Sequence, residues 1–267
     1  MDLELKNRVA VVTGASKGIG LAVVSALLQE GAHVVAASRN TSAELDALEG
    51  DLLHVPADMM DPEAPAAVIA RAVETFGGLD VLVNNAGGPP PGIAMPRFGF
   101  AGLTDDDWRG MFEFNLFSAV RACRAALPFL IERGGGAIVN ISSGHGRQPS
   151  AVNVDYGAAK AAMINLTKAL SEEFGPQGIR VNGVCPGPVR TPWWTDEGGA
   201  ADILAAHTGS DREAVISTVA PELMQLATGR LAEPREIADA VLLLASPRSG
   251  STTGTEFVVD SGWLKAS

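Results

Sequence analysis

Tyr156 is the sole tyrosine of the chain, and it opens the run Tyr156-Gly157-Ala158-Ala159-Lys160. In a helix, Tyr156 and Lys160 are i and i+4 and stack on one face a turn apart. An ammonium beside a phenol favours the phenolate, so Lys160 is expected to pull the phenol below its reference pKa of about 10. Such a pair makes a proton donor. Taken alone, it reads far more readily as a surface tyrosine near a solvated lysine, because these pairs are common on helices. A second stretch, Thr13-Gly14-Ala15-Ser16-Lys17-Gly18-Ile19-Gly20, has glycines that allow a tight turn. They also let backbone N–H groups approach a phosphate at a helix N-terminus. It is not a Walker loop, since no Gly-Lys-Ser/Thr closes it. A third feature is Asn115, an amide in an apolar stripe with Trp108 and Phe112, where it is costly unless satisfied.

These residues need elements to hold them, and the pattern alternates short β-branched runs with helix-length amphipathic segments. Strands are expected over 8–13, 33–38, 52–56, 79–84, 137–142, 179–185 and 255–259. Strands that are apolar on both faces suit a parallel sheet covered by helices. The first helix carries Leu21, Val24 and Leu28 and stops at Gly31; others run near 42–48, from Pro62 to Phe76, over 155–174 and from Pro234. Thr104 reads as the N-cap of a long helix whose first turn is acidic. Residues 88–103 form a loop, and 191–229 a long Gly-, Thr- and Ala-rich stretch with two weak helical patterns. No repeat or linker interrupts this. The expectation is one α/β domain over residues 1–267, a doubly wound Rossmann domain with a seven-stranded parallel sheet and helices on both faces.

Composition narrows the function classes. A net charge of −11 is wrong for binding a phosphate backbone, so no nucleic-acid partner is expected. No uninterrupted apolar run reaches the ~18 residues of a membrane span, and the acidic N-terminus shows no secretory signal. Cys123 and Cys185 give no disulfide framework, so a reduced cytoplasmic setting is the default expectation. No metal is expected.

The glycine spacing T-G-x-x-x-G-I-G resembles that of the short-chain dehydrogenase/reductase family, and the resemblance continues along the chain. Asn84-Asn85-Ala86-Gly87 is similar to the family's N-N-A-G, Asn115 to its helix asparagine and Ser143 to its serine, thirteen positions before Tyr156. Tyr156 and Lys160 match its Y-x-x-x-K, and Pro186-Gly187 its P-G. The resemblance implies a nicotinamide-dependent oxidoreductase interconverting a carbonyl and an alcohol. Tyr156 would be proton donor or acceptor. Lys160 would lower its pKa and hold the nicotinamide ribose, Ser143 would bind the substrate oxygen, and Asn115 would seat a water in the proton relay. Ser142, one residue early, is expected to point to the other strand face. Cofactor contacts are implied for Gly14, Ser16, Lys17, Gly18, Ile19, Gly20, Asn85, Ala86, Gly87, Pro186 and Gly187. Val189 and Thr191 would hold the carboxamide, and Asp58, with Met59 beside it, the adenine.

At the end of strand two an acid would bind the ribose hydroxyls of NAD, but this chain reads Ser38-Arg39-Asn40, with no acid before Glu44. Arg39 could grip a 2′-phosphate and Lys17 could add charge. NADP(H) is therefore expected over NAD(H), which remains possible. Met95, Phe98, Phe100, His145, Arg147, Trp193 and Trp194 are candidates to line a substrate pocket, the last two closing over an apolar substrate from a lid at about 191–229. Three functions compete: reduction of a free ketone or aldehyde, reduction of a β-ketoacyl thioester on acyl-carrier protein or CoA, and non-catalytic NADP-dependent regulation. Gln177, where carrier-dependent relatives often have a basic residue, weakens the second. A homotetramer or homodimer is expected through the helices carrying Asn115 and Tyr156.

Overall fold

The sheet begins at β1 (Val9–Thr13), whose Ala10 and Val12 face one side and Val9 and Val11 the other, all buried. The computed structural model describes residues 1–265. The elements follow as α1 (Gly18–Gln29), β2 (His33–Ser38), α2 (Ala43–Asp46), β3 (Leu52–Pro56), α3 (Ala64–Phe76) and β4 (Val81–Asn84). Next come α4 (Asp105–Phe112), a π-helical turn (Glu113–Phe117), α5 (Ser118–Glu132), β5 (Gly136–Ile141), α6 (Gly144–Arg147), α7 (Val154–Phe174) and β6 (Ile179–Pro186). Short helices α8 (Pro192–Thr195), α9 (Ala200–Thr208), α10 (Arg212–Ala214) and α11 (Ala220–Leu223) precede α12 (Pro234–Ala245) and β7 (Glu256–Val259).

All strands are parallel, in the order β3-β2-β1-β4-β5-β6-β7, a seven-stranded doubly wound sheet. Helices α1 and α12 cover one face through Val23, Leu27, Ile237 and Val241. Helices α3, α5 and α7 cover the other, through Val68, Ala126, Leu130 and Leu170. The run Asp105–Glu132 is long and apolar enough to cross a membrane, with mean hydropathy 1.3, but its apolar face is spent on the sheet. The chain order reverses between β1 and β4, so a crevice opens at their carboxyl ends, the place where such sheets bind ligands.

Several boundaries shift for local reasons. Helix α3 starts at Ala64 rather than Pro62, because residues 58–61 make a turn closed by Asp61 N–H donating to the Asp58 carbonyl at 2.9 Å. Thr104 caps α4 through a reciprocal bond with Asp107. The 191–229 stretch holds more helical pieces than its two patterns suggest, and they share a small core of Trp194, Ala200, Ala201, Val215, Ile216 and Leu226. None is long enough to be stable without that packing.

Candidate active site

Gly14 at φ +66° ends β1, and a Cβ there would meet the Ala86 Cα at 2.9 Å. Gly20 is tighter: its Cβ would lie 2.2 Å from the Gly14 carbonyl oxygen. The glycine loop and the start of the β4 loop therefore touch backbone to backbone. Thr13 Oγ1 accepts from the N–H groups of Asn85 and Ala86, each at 3.0 Å. The Asn85 amide donates to the carbonyls of Thr13 and Gly14, at 2.9 and 3.0 Å. Asn85 thus acts on the loop through side-chain bonds to protein backbone. Ser16, Lys17 and Ile19 complete the turn into α1. No side chain caps the start of this helix, which leaves its first N–H groups free for an anion. Gly18, at φ +57°, would carry a Cβ 3.2 Å from Thr191 Cγ2, so Thr191 lies directly over the loop.

Around this cradle the other expected cofactor residues divide. Ser42 Oγ donates to the Ser16 carbonyl at 2.8 Å, drawing the segment after β2 onto the glycine loop. Arg39 there is exposed and forms no ion pair among the described residues. Lys17 is exposed and has Asp196 as an ionic neighbour, at 3.9 Å in the 191–229 segment. Ser38 is buried and its hydroxyl is committed to the Asn40 carbonyl, 2.8 Å away. Asp58 accepts from the Met60 N–H at 3.0 Å, a turn role, while Met59 is packed in the core against β2 and α3. Gly187 fits against Asp260, whose Cα lies 2.7 Å from where its Cβ would be, and Pro186 ends β6 beside it. Val189 is buried and bridges to Ala232. These residues fit a bound dinucleotide, since an uncapped helix start adjoins a turn whose glycines leave no room for side chains.

The reacting groups converge from α7, β5 and the π-turn. Asn115 is fully buried. Its Nδ2 donates to the Gly88 carbonyl at 2.9 Å and its Oδ1 accepts from the Gly88 N–H at 2.7 Å. The π-turn that widens the helix here is what brings this amide to the β4 loop. Its hydrogen bonds go to the backbone of Gly88 and Met111 and to the Met111 sulfur, which satisfies the polar cost noted from sequence. Gly87 leaves room beside it: a Cβ there would sit 2.9 Å from both Asn115 Oδ1 and Lys160 Nζ. Lys160, 2% exposed, donates from Nζ to the Ile141 carbonyl at 2.8 Å, with the ammonium 5.7 Å from the Tyr156 ring centre.

The electrostatics correct one expectation. Burial pushes the Tyr156 phenol up to about 12, although the hydrogen-bonding Ser143 hydroxyl pulls the other way. Burial also drives Lys160 down to about 8, against the opposing charge of Glu256. The ammonium does not set the direction as expected, because desolvation of the phenol outweighs it and Nζ is directed at a carbonyl. Tyr156 is therefore held protonated at neutral pH. Ser143, buried at the end of β5, caps α6 by accepting from the His145 N–H at 3.3 Å. Ser142 instead points into the sheet, donating toward the Val184 carbonyl at 3.1 Å.

The aromatic candidates separate sharply. Trp193 packs against the buried cluster of Met95, Met111 and Ala159, as Tyr156 does, so one wall of the site is apolar. Trp194 turns away and is 3% exposed within the core of the 191–229 segment. The two rings do not close over one substrate together. Phe98 and Phe100 are 60% and 65% exposed and rest on His207 and Trp108. Arg147 is exposed too. His145 lies edge-on to Tyr156 at 6.0 Å, and burial lowers its pKa, keeping it neutral. Two features were missed in the sequence. Trp263, from the C-terminal segment, stands 5.0 Å from His145 and packs on the 191–229 core. Arg97 clamps the 88–103 loop to α7 by pairing with the buried Asp155, next to Tyr156, and with Asp107 at 2.8 Å. Buried apolar neighbours and an isolated Arg gave neither any pattern to read.

Comparison with known proteins bears on what this geometry serves. The short chain dehydrogenase family model matches residues 8–200. The 3-oxoacyl-(acyl-carrier-protein) reductase FabG of Vibrio cholerae is 34% identical over 97% of this chain and 98% of its own. The 2,5-dichloro-2,5-cyclohexadiene-1,4-diol dehydrogenase LinX of Sphingobium indicum is 35% identical, covering 98% of both chains. In structure, the L-sorbose reductase of Gluconobacter frateurii, complexed with NADPH and L-sorbose, superposes with a TM-score of 0.89 at 33% identity over 100% of both chains. On these similarities, the chain belongs to the short-chain dehydrogenase family and is an oxidoreductase acting on carbonyl and alcohol groups.

Proposed function

We propose that the protein is an NADPH-dependent reductase of a free ketone or aldehyde, with Tyr156 as the proton donor. The observation that carries this reading is Tyr156 itself, a phenol held protonated beside Ser143, with a buried lysine one turn below. The nicotinamide cofactor supplies the hydride when bound. The chain supplies the rest. Ser143 donates a hydrogen bond to the substrate oxygen as it gains charge. Tyr156 passes its phenol proton to that oxygen, and in the oxidation direction takes one from the alcohol. Lys160, carrying its charge below a pKa of about 8, stabilises the phenolate left behind. Asn115 holds the Gly88 backbone against this cluster.

The cofactor preference rests on Arg39, exposed and, among the described residues, without an ion pair at the end of an acid-free β2. Paired hydrogen bonds from its guanidinium suit a 2′-phosphate. The NADPH in the Gluconobacter relative supports the choice. Similarity to FabG supports the thioester alternative, which predicts turnover of acetoacetyl thioesters. Segment 191–229 is the lid over the substrate, and assembly as a homotetramer or homodimer through α5 and α7 completes the reading.

The test is NADPH oxidation against a carbonyl panel that includes acetoacetyl thioesters. Tyr156→Phe should lower turnover by about 10²–10⁴-fold while NADPH still binds. Retained turnover would refute the assignment. Arg39→Ala should weaken NADPH binding about 10- to 100-fold, the loss of about 1.5–3 kcal/mol of charged hydrogen bonding, and leave NADH unchanged.

A further inference from the structure

Between β4 and α4 the chain runs through residues 88–103 with few bonds of its own. Inside this loop the Ile93 N–H donates to the Pro90 carbonyl at 3.0 Å and the Leu103 N–H to the Phe100 carbonyl at 3.1 Å. Among the described residues, its hydrogen bonds to the rest of the chain fall at two places. Asn115 holds it at Gly88, and Arg97 holds it at the other end. Arg97 uses backbone and side chain together. Its N–H donates to Asn153 Oδ1 at 2.7 Å, and the Asn153 N–H donates to its carbonyl at 2.9 Å. Phe98 extends that contact as an antiparallel bridge to Val152. The guanidinium donates from Nη1 to Asp107 of α4 at 2.8 Å and from Nη2 to Asp155 of α7.

This clamp is built around a buried charge. Asp155 is fully buried in the first turn of α7, where the helix dipole favours an acid. Among the described residues Arg97 is its only side-chain partner, and a buried carboxylate without a cation is costly. A planar guanidinium can bridge two carboxylates at once, which a lysine, as a point charge, cannot do in the same way. Asn153 enters the helix at φ +55°, a left-handed conformation that asparagine adopts more readily than most residues. The placement along the chain gives the clamp its meaning. Asp155 stands immediately before Tyr156, and Arg97 stands two residues after Met95. Met95 is buried with Met111 and Ala159 in the cluster against which Tyr156 and Trp193 pack. The clamp therefore joins the loop beside Met95 to the helix beside Tyr156.

We propose that Arg97 is a positioning residue for substrate specificity: it holds Met95 against the Tyr156 cluster, so that the apolar wall meeting the substrate is registered to the helix carrying the proton donor. The inference rests on the role given to Tyr156 above. A loose wall must be ordered when substrate binds, which lowers affinity. The test uses the panel ketone that wild type reduces fastest. Arg97→Met should raise its KM about threefold to tenfold, with kcat changed less than KM and NADPH affinity unchanged. Adding Asp155→Asn removes the unpaired carboxylate, so thermal stability should recover while KM stays raised. An unchanged KM in Arg97→Met overturns the proposal. So does a KM that recovers together with stability, which would show a charge held for folding alone. Should the Arg97 variants fail to fold, Asn153→Gly decides, since it keeps the left-handed backbone, strands no buried charge and still loses the bond to the Arg97 N–H. Its KM should rise, and an unchanged value contradicts the proposal. Retained turnover in Tyr156→Phe would fail the function proposed above, whereas an unchanged KM in these variants fails this inference alone.

Discussion

At the carboxyl ends of β1 and β4 the site is shaped by backbone, with Gly14 and Gly20 packed where a single Cβ would collide with main-chain atoms. Across the cleft, residues 191–229 are shaped by side chains, with short helices held together by Trp194, Val215, Ile216 and Leu226. The first region has one solution, because a backbone contact below van der Waals distance has no rotamer to relieve it. The second is a small core that many apolar sets could fill. On the function proposed above, nucleotide binding would sit on the constrained geometry and substrate choice on the adjustable one.

Three substitutions should break or sharpen that contrast. The largest effect is expected from Trp194→Ala, which empties the core of the 191–229 segment; truncating a buried tryptophan costs about 3–5 kcal/mol. Proteolysis and hydrogen exchange should show the opening confined to that segment, with NADPH affinity little changed. Gly20→Ala comes next. A methyl 2.2 Å from the Gly14 carbonyl must displace the loop, costing about 1–3 kcal/mol as overpacking. Titration of cofactor fluorescence should show that cost as weakened NADPH binding. The smallest effect belongs to Trp193→Ala, which removes an apolar wall beside Tyr156 without emptying a core. It should raise KM or change the preferred carbonyl, leaving thermal stability within about 1 kcal/mol. Loss of NADPH binding in either tryptophan variant would erase the distinction between the two regions.

The same contrast governs what the sequence could disclose. Glycines at Gly14, Gly18 and Gly20 mark places where only one residue type fits, so their spacing is a direct record of a contact. Tyr156 and Lys160 are linked by helical periodicity, and strands apolar on both faces announce a covered parallel sheet. Contacts between side chains distant in the chain leave no such trace. Nothing in the sequence separates Trp193 from Trp194, because their fates depend on which way α8 rolls. Glu256 reaches Ser142 only because Gly183 lies between them in the sheet, a relation set by register. The direction of the Tyr156 shift is not legible for a related reason: i,i+4 spacing shows the ammonium, but not the burial that outweighs it.

That shift can be measured without ambiguity, because Tyr156 is the chain's only phenol and its ionisation is the only source of a phenolate absorbance band. The decisive measurement is a pH titration of that band in the folded protein, with and without saturating NADP⁺. Tyr156 should stay protonated beyond its ordinary value of about 10, toward about 12, in the free protein. The positive charge of the bound oxidised cofactor should bring the midpoint down. A phenolate appearing near pH 10 and indifferent to NADP⁺ would show an ordinary surface tyrosine, and would contradict the role assigned to it.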